Sequence, residues 1–233
     1  MATLPKPEPA AVQQLELHSG DHMSREEFHR IYEQMPEDFK AELIGGIVYV
    51  ASPLRRPHGA FHSALNGLFF IYSANTAGVE AADNTTTVLG EDAEPQPDLL
   101  LRILPEHGGQ SQDTPDEYIA GPPELLAEVA HSSRAIDMHR KRRDYARYGV
   151  LEYLVLCLAE GELRWFDLRA DQELQPDADG VYRIRTFPGL WIQGEALLAK
   201  DYKRMMAVLE QGLATPEHAA FVAGLAAARD QRR

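Results

Sequence analysis

Two carboxylates stand in this sequence where apolar strands ought to exclude them. Asp98 follows Pro97 at the head of DLLLRIL, and Glu128 lies inside LLAEVA. An ionised carboxylate in such surroundings is costly unless something pairs with it. A hard divalent cation, Mg²⁺ or Mn²⁺, suits the pair: such an ion needs only one or two protein carboxylates and keeps waters that can be activated. Glu42, in KAELIGGIVYVA, adds a third acid on a β-rich run. Two plainer readings remain open: Asp98 caps its strand, or Glu128 forms a structural ion pair with a basic residue of the next helix.

That helix carries Asp137, Lys141 and Tyr145 at successive i, i+4 steps, which puts them on one face. Lys141 is then placed to lean back over the end of the Glu128 strand, steadying an attacking hydroxide and the charge on a reacting phosphate. Taken alone, a lysine in HRKRRD is a solvated side chain. His58 and His62 stand four apart, as zinc ligands do in HExxH, but Gly59 occupies the place of the catalytic glutamate. We read His62 as core or surface and His58, just after Pro57, as a candidate for a place behind the metal ligands. The chain shows no P-loop, dinucleotide-binding glycine fingerprint or G-x-S-x-G elbow.

The elements that must position these residues are legible in outline. Residues 1–22 lack periodicity and are expected to form a flexible arm. Ser24 with Glu27 makes a capping box for a first helix. Gly45-Gly46 is a two-residue hairpin turn, since both positions of such a turn need positive φ. Helical spacing runs from 58 to 72, strands follow at 84–89, 98–104 and 124–130, and a helix over 134–148 ends at Gly149. EYLVLCLA and ELRWFDL flank Glu160-Gly161 as a second hairpin, and VYRIRTF is a further strand. From about Glu195 to 233, two helices broken near Thr215-Pro216 read as an accessory cap. This order predicts an α/β domain over 23–194: a mixed central sheet flanked by helices, with a helical C-terminal extension.

Size and composition agree with one α/β domain: 233 residues, of which 44% are hydrophobic and 25% charged. The lone Cys157 sits in LVLCL and reads as a buried strand residue, so no disulfide framework is expected. The N-terminus has no signal-like apolar stretch, and LFFIY at 68–72 is too short to span a bilayer, which predicts a soluble cytoplasmic protein without a membrane partner. The formal charge of −13 counts against a generic nucleic-acid coat protein. Basic residues are concentrated, however, in 134–147, where Arg134, Arg140, Lys141, Arg142, Arg143 and Arg147 face only Asp137 and Asp144.

The ordered series ELIGGIVYVASP, His58, PQPDLLLRI, GPPELLAEVAHSS, Asp137, Lys141, Tyr145, Gly149-Val150 and Glu152-Tyr153 resembles the Uma-type restriction-endonuclease family of the PD-(D/E)XK nuclease superfamily, over roughly 40–195. The resemblance implies a restriction-endonuclease-like fold and a metal-dependent phosphodiesterase site. Pro97-Asp98 would be its PD element, Glu128 its second acid, and Glu42, Asp98 and Glu128 the holders of Mg²⁺ or Mn²⁺. The lysine expected two residues after Glu128 is replaced by Ala130, and Lys141 is the position that fits its role; His131, where the family often has a small polar residue, is a second departure. On this reading the partner is nucleic acid, DNA first and RNA second, and duplex cleavage suggests a homodimer. The alternative is a non-catalytic binding module of the same fold, which Ala130 and the net charge would suit.

Overall fold

The computed structural model describes residues 16–131 and 133–232. Of the arm expected over 1–22, residues 1–15 lie outside the described set. Beyond them Leu17 is buried, and the backbone runs beside Val48, whose carbonyl takes the Gly20 amide at 2.8 Å and whose amide donates to Asp21 O at 2.9 Å. Residues 17–22 are therefore docked, because Leu17 has an apolar cluster to join with Phe28, Ile31, Leu43 and Val48.

Ser24 caps α1 (Arg25–Tyr32) by accepting the Glu27 amide at 3.2 Å. β1 (Ala41–Ile44) and β2 (Ile47–Val50) form the expected hairpin, with Gly45 at φ 57° and Gly46 at φ 74° in the turn. The hairpin stays outside the main sheet and is held to the segment before Asp98. Leu43 exchanges both backbone hydrogen bonds with Glu94 (3.1 and 2.9 Å), and the Gly46 amide donates to Asp92 O at 2.7 Å.

The central sheet has six strands in the order β11-β10-β9-β8-β5-β3. These are β3 (Val79–Asp83), β5 (Leu99–Ile103), β8 (Leu125–Ala130), β9 (Glu152–Cys157), β10 (Glu162–Asp167) and β11 (Gln172–Leu174). Within this sheet, among the described residues, only β8 and β9 pair in parallel; the crossover between them is a π-helical stretch (Ile136–Lys141) that runs into α3 (Arg142–Tyr148) and ends at Gly149, φ 93°. The sheet is therefore mixed and flanked by helices, as the sequence predicts. A three-stranded patch of β4 (Thr87–Val88), β6 (Gln112–Asp113) and β7 (Ile119–Ala120) lies apart from it, as does the pair β12 (Val181–Arg183) and β13 (Trp191–Gln193).

The period of two sorts the side chains of each strand between two cores. Leu99, Leu101, Leu125, Ala127, Val129, Leu154 and Leu156 join α2 (Arg56–Ala74) on one face; Leu100, Leu126, Ala130, Tyr153, Val155 and Cys157 meet Tyr145 of α3 on the other. The C-terminal segment forms three helices, α4 (Gly194–Ala199), α5 (Tyr202–Leu213) and α6 (Pro216–Arg232). It is not an accessory cap: Ala196, Leu197, Met205, Leu209 and Leu225 are buried in the α2-side core. Among the described residues, no helix is long and apolar enough to cross a membrane.

Candidate active site

The pleat decides where the acids go. β5 pairs antiparallel with β8 through Leu99↔Ala127, so the residue before Leu99 falls opposite the residue after Ala127. Asp98 and Glu128 are thus cross-strand neighbours on the α3 side, in register with Leu126 and Ala130 rather than with the α2-side leucines. The Asp98 amide points to Glu128 Oε2 at 3.5 Å. Asp98 Oδ2 accepts the Val129 amide at 2.7 Å and lies 3.2 Å from His58 Nε2, while His62 Nε2 is 2.9 Å from the Asp98 carbonyl oxygen. Both histidines therefore tie α2 to the start of β5, and His62 is a contact that the sequence reading left as core or surface.

Lys141 comes back over β8 from the π-helical stretch. Its ammonium donates to Glu128 Oε1 at 2.9 Å and lies 2.8 and 3.0 Å from the two oxygens of Glu42, with Asp137 Oδ1 at 3.8 Å. Glu42 reaches it because the β1–β2 hairpin is fastened to residues 92–94; its Oε1 also accepts the Gln96 amide at 2.7 Å. Tyr145 OH donates to Glu128 Oε1 at 3.1 Å, and Ser133 Oγ donates to Asp137 at 2.5 Å. Tyr153, part of the family-like series but given no role from the sequence, packs edge-on against Tyr145 at 5.0 Å, and its buried hydroxyl has no partner among the described residues.

The structure thus brings the buried Glu128, Asp137 and Lys141 together with the half-buried Glu42 and sets Asp98 beside Glu128. Lys141 makes no ion-pair contact with Asp98 itself. The wider i→i+5 turn is a feature often found at functional sites. It keeps Asp137 and Lys141 at 2% and 4% exposure, with Tyr145 also buried.

One ammonium shared by three carboxylates, with Asp98 beside them, sets the electrostatics. Burial alone would strip Lys141 of its proton, but Glu128, Glu42 and Asp137 together hold it charged, well above the usual lysine range. Glu128 is pushed well above the carboxylate range, by burial first and by the charges of Asp98, Asp137 and Glu42; Lys141 opposes this. Burial likewise raises Asp137. Asp98 stays below the usual range, since hydrogen bonds from His58 and the Val129 amide outweigh its burial. Acid in excess over base is the condition a bound cation would relieve.

The donor set narrows where such a cation fits. Glu42 has both oxygens turned to Lys141, and Glu128 Oε1 is filled by Lys141 and Tyr145. Glu128 Oε2 and Asp98 Oδ1 remain; the second accepts no hydrogen bond among the described residues. No group of three His, Cys, Asp or Glu side chains among the described residues is arranged to hold a metal ion. Two carboxylate oxygens completed by water are a donor set of the kind an Mg²⁺-like ion accepts.

An acid at the head of β5 and another on the paired β8, with a lysine leaning back from the crossover helix, define a protein of nuclease-like α/β fold. The profile of the Uma2 family, described as "Putative restriction endonuclease", matches residues 25–197, and the chain belongs to that family. A solved structure described as a "putative nuclease belonging to DUF820" from Anabaena variabilis ATCC 29413 is similar in fold: TM-score 0.54 and 13% identity, over 77% of this chain and 97% of that one. No curated protein matches the chain.

Proposed function

We propose that this chain is a divalent-cation-dependent nuclease that hydrolyses phosphodiester bonds, with DNA as its substrate. Membership of the restriction-endonuclease family supports nuclease chemistry in general. The observation that carries the particular reading is the placement of Lys141 Nζ between Glu42 and Glu128, with Glu128 Oε2 accepting only the long contact from the Asp98 amide at 3.5 Å.

Asp98 Oδ1 and Glu128 Oε2 would hold Mg²⁺ or Mn²⁺. When bound, the ion acidifies water and offsets phosphate charge. His58 and the Val129 amide fix the carboxylate of Asp98 from one edge and leave the other edge free. Tyr145 does the same for Glu128, saturating Oε1 together with Lys141. Lys141, kept cationic by its neighbours, offers a fixed positive charge to the developing negative charge on phosphate; because it is already oriented, little reorganisation is needed during reaction. Glu42, first considered as a third metal ligand, acts in this arrangement as the clamp that aims Lys141. The roles of Glu42, Asp98, Glu128 and Lys141 are all part of the proposal, as is a homodimer for cutting duplexes.

The test is hydrolysis of DNA and RNA substrates with Mg²⁺ or Mn²⁺, wild type against Asp98→Ala, with ion binding followed by calorimetry. Metal-dependent cleavage lost in the variant is expected. Equal activity in both proteins would remove the catalytic role, and absence of ion binding would favour the non-catalytic module of the same fold, to which the charge of −13 also points.

A further inference from the structure

We infer that the outer face of the Lys141 helix, through Arg140 and Arg143, forms a phosphate-binding cleft for the backbone of the nucleic-acid substrate; this rests on the nuclease reading above. The six basic residues of 134–147 look equivalent in the sequence, and the structure separates them. Arg134 pairs with Glu160 at 2.9 Å. Arg142 pairs with Asp171 at 2.5 Å and stacks over Phe166 at 4.2 Å. Lys141 is buried among its carboxylates. Arg147 is paired with Asp92 at 2.5 Å and lies 3.4 Å from Asp144. Arg140 and Arg143 are exposed and make no ion pair among the described residues; Arg143 donates only to the His139 carbonyl oxygen, at 3.3 Å.

These two residues line a cavity of about 250 Å³ together with Ile44 and Gly45 of the β1–β2 turn and with Asp92, Asp144 and Arg147. A water molecule takes roughly 30 Å³ of liquid, so a phosphate group with solvent has room. The walls are informative. One is the hairpin that carries Glu42, and the other is the helix that carries Lys141, so a strand lying in the cleft would be registered against both elements that frame the site. The two acids in the lining share Arg147 and offset the free arginines only in part, leaving three guanidinium groups against two carboxylates. Asp92 accepts from both Arg147 and Tyr148, and Asp144 lies against Arg147 and the Gly45 turn. The planar guanidinium is suited to phosphate oxygens, and in a chain of net charge −13 a polyanion needs such a local patch.

The experiment uses full-length protein carrying Asp98→Asn, so that binding is read without cleavage, and follows a fluorescent DNA duplex by anisotropy across a salt series. Arg140→Ala/Arg143→Ala should bind roughly tenfold more weakly near 0.1 M salt, with a salt slope shallower by about 1 to 2, the signature of lost phosphate contacts. Arg142→Ala should match its parent, and Arg140→Lys/Arg143→Lys should recover part of the affinity. Unchanged binding in the Ala pair, in a protein whose Asp98 form cleaves DNA, overturns the cleft and leaves the nuclease reading intact. Equal losses in Arg142→Ala and the Ala pair would also overturn it, since the effect would then be one of general charge. If protein with Asp98 restored neither binds nor cleaves nucleic acid with Mg²⁺ or Mn²⁺, the nuclease reading itself has failed, and the cleft with it.

Discussion

Two glutamates on neighbouring strands, Glu128 of β8 and Glu152 of β9, are buried to 4% and 1% exposure, and the sheet points them to opposite sides. On the α3 side Glu128 meets an ammonium, a tyrosine hydroxyl and three further acids. On the α2 side Glu152 accepts Trp165 Nε1 at 2.8 Å and the Thr186 amide at 3.3 Å, with no cation in ion-pair contact among the described residues. Burial raises both acids above the usual carboxylate range. The difference lies in the surroundings. Glu152 is a single acid closed off by two neutral donors, which is a structural solution. Glu128 belongs to a cluster that leaves oxygens open and acid in excess, a costly arrangement for structure alone and one that suits function.

The widest expected gap between the two sides is in hydrolysis. Asp98→Asn should lower cleavage by about three orders of magnitude or more, since charge stabilisation by a cation is worth several kcal/mol. Its thermal unfolding should stay close to wild type, because the amide can still accept from Val129. Leu154→Ala on the α2 side should do the reverse, preserving cleavage per folded molecule. Comparable cleavage losses in the two variants would erase the distinction.

Next in size is the fold cost of taking away the ammonium. Lys141→Met leaves Glu42, Glu128 and Asp137 facing one another in a buried space, and losing one partner of a buried ion pair costs about 3–5 kcal/mol. Adding Glu42→Gln and Glu128→Gln should return most of that stability while leaving the protein inactive. Chemical denaturation of the single and triple variants checks this. A triple variant no more stable than Lys141→Met would mean that packing, and not charge, sets the cost.

The apolar side is tested at Leu197 of α4. It is fully buried, so Leu197→Ala should cost about 2–5 kcal/mol without altering divalent-ion affinity in the folded protein. Removing everything from Gly194 onward is expected to prevent folding, because five buried core residues go with it. A truncated chain that folds and binds the ion would restore the reading of this segment as a dispensable cap.

What the sequence made legible follows from how local each signal is. Asp98 and Glu128 stood out because a carboxylate in an apolar strand contradicts its neighbours, and Gly45-Gly46 because a two-residue turn has few chemistries. Lys141 and Tyr145 were found by helical spacing, although a period of 3.6 does not reveal that Ile136–Lys141 winds as a π-helix. β3 was missed since VEAAD has a single β-branched residue and no clear alternation; its place comes from pairing with β5. The C-terminal helices were seen but misplaced. Their apolar spacing tells that a face is buried and not against what, and only the fold sets Leu197 and Leu209 on the α2 side. Glu152 passed unnoticed as a charge because it opens its strand, where an acid is unremarkable, and its donors lie 13 and 34 residues away in sequence.

The smallest and most specific prediction concerns Glu152 itself. Its folded pKa is raised, by burial first, with the hydrogen bonds from Thr186 and Trp165 only partly opposing. The folded protein therefore holds this proton more tightly than the unfolded chain, whose glutamate titrates near about 4.3. The stabilising contribution of the protonated acid is fully present below that value and is lost as pH rises through the folded pKa. Glu152→Gln removes the titration and keeps one acceptor. The Tm of wild type minus that of Glu152→Gln should therefore decline as pH rises above about 4. Glu128→Gln is the companion measurement, and there the same trend should be distorted by the loss of a partner for Lys141. A flat or rising difference for Glu152 would show that Trp165 and Thr186 stabilise its charged form outright, and the contrast between the two faces would then rest on Lys141 alone.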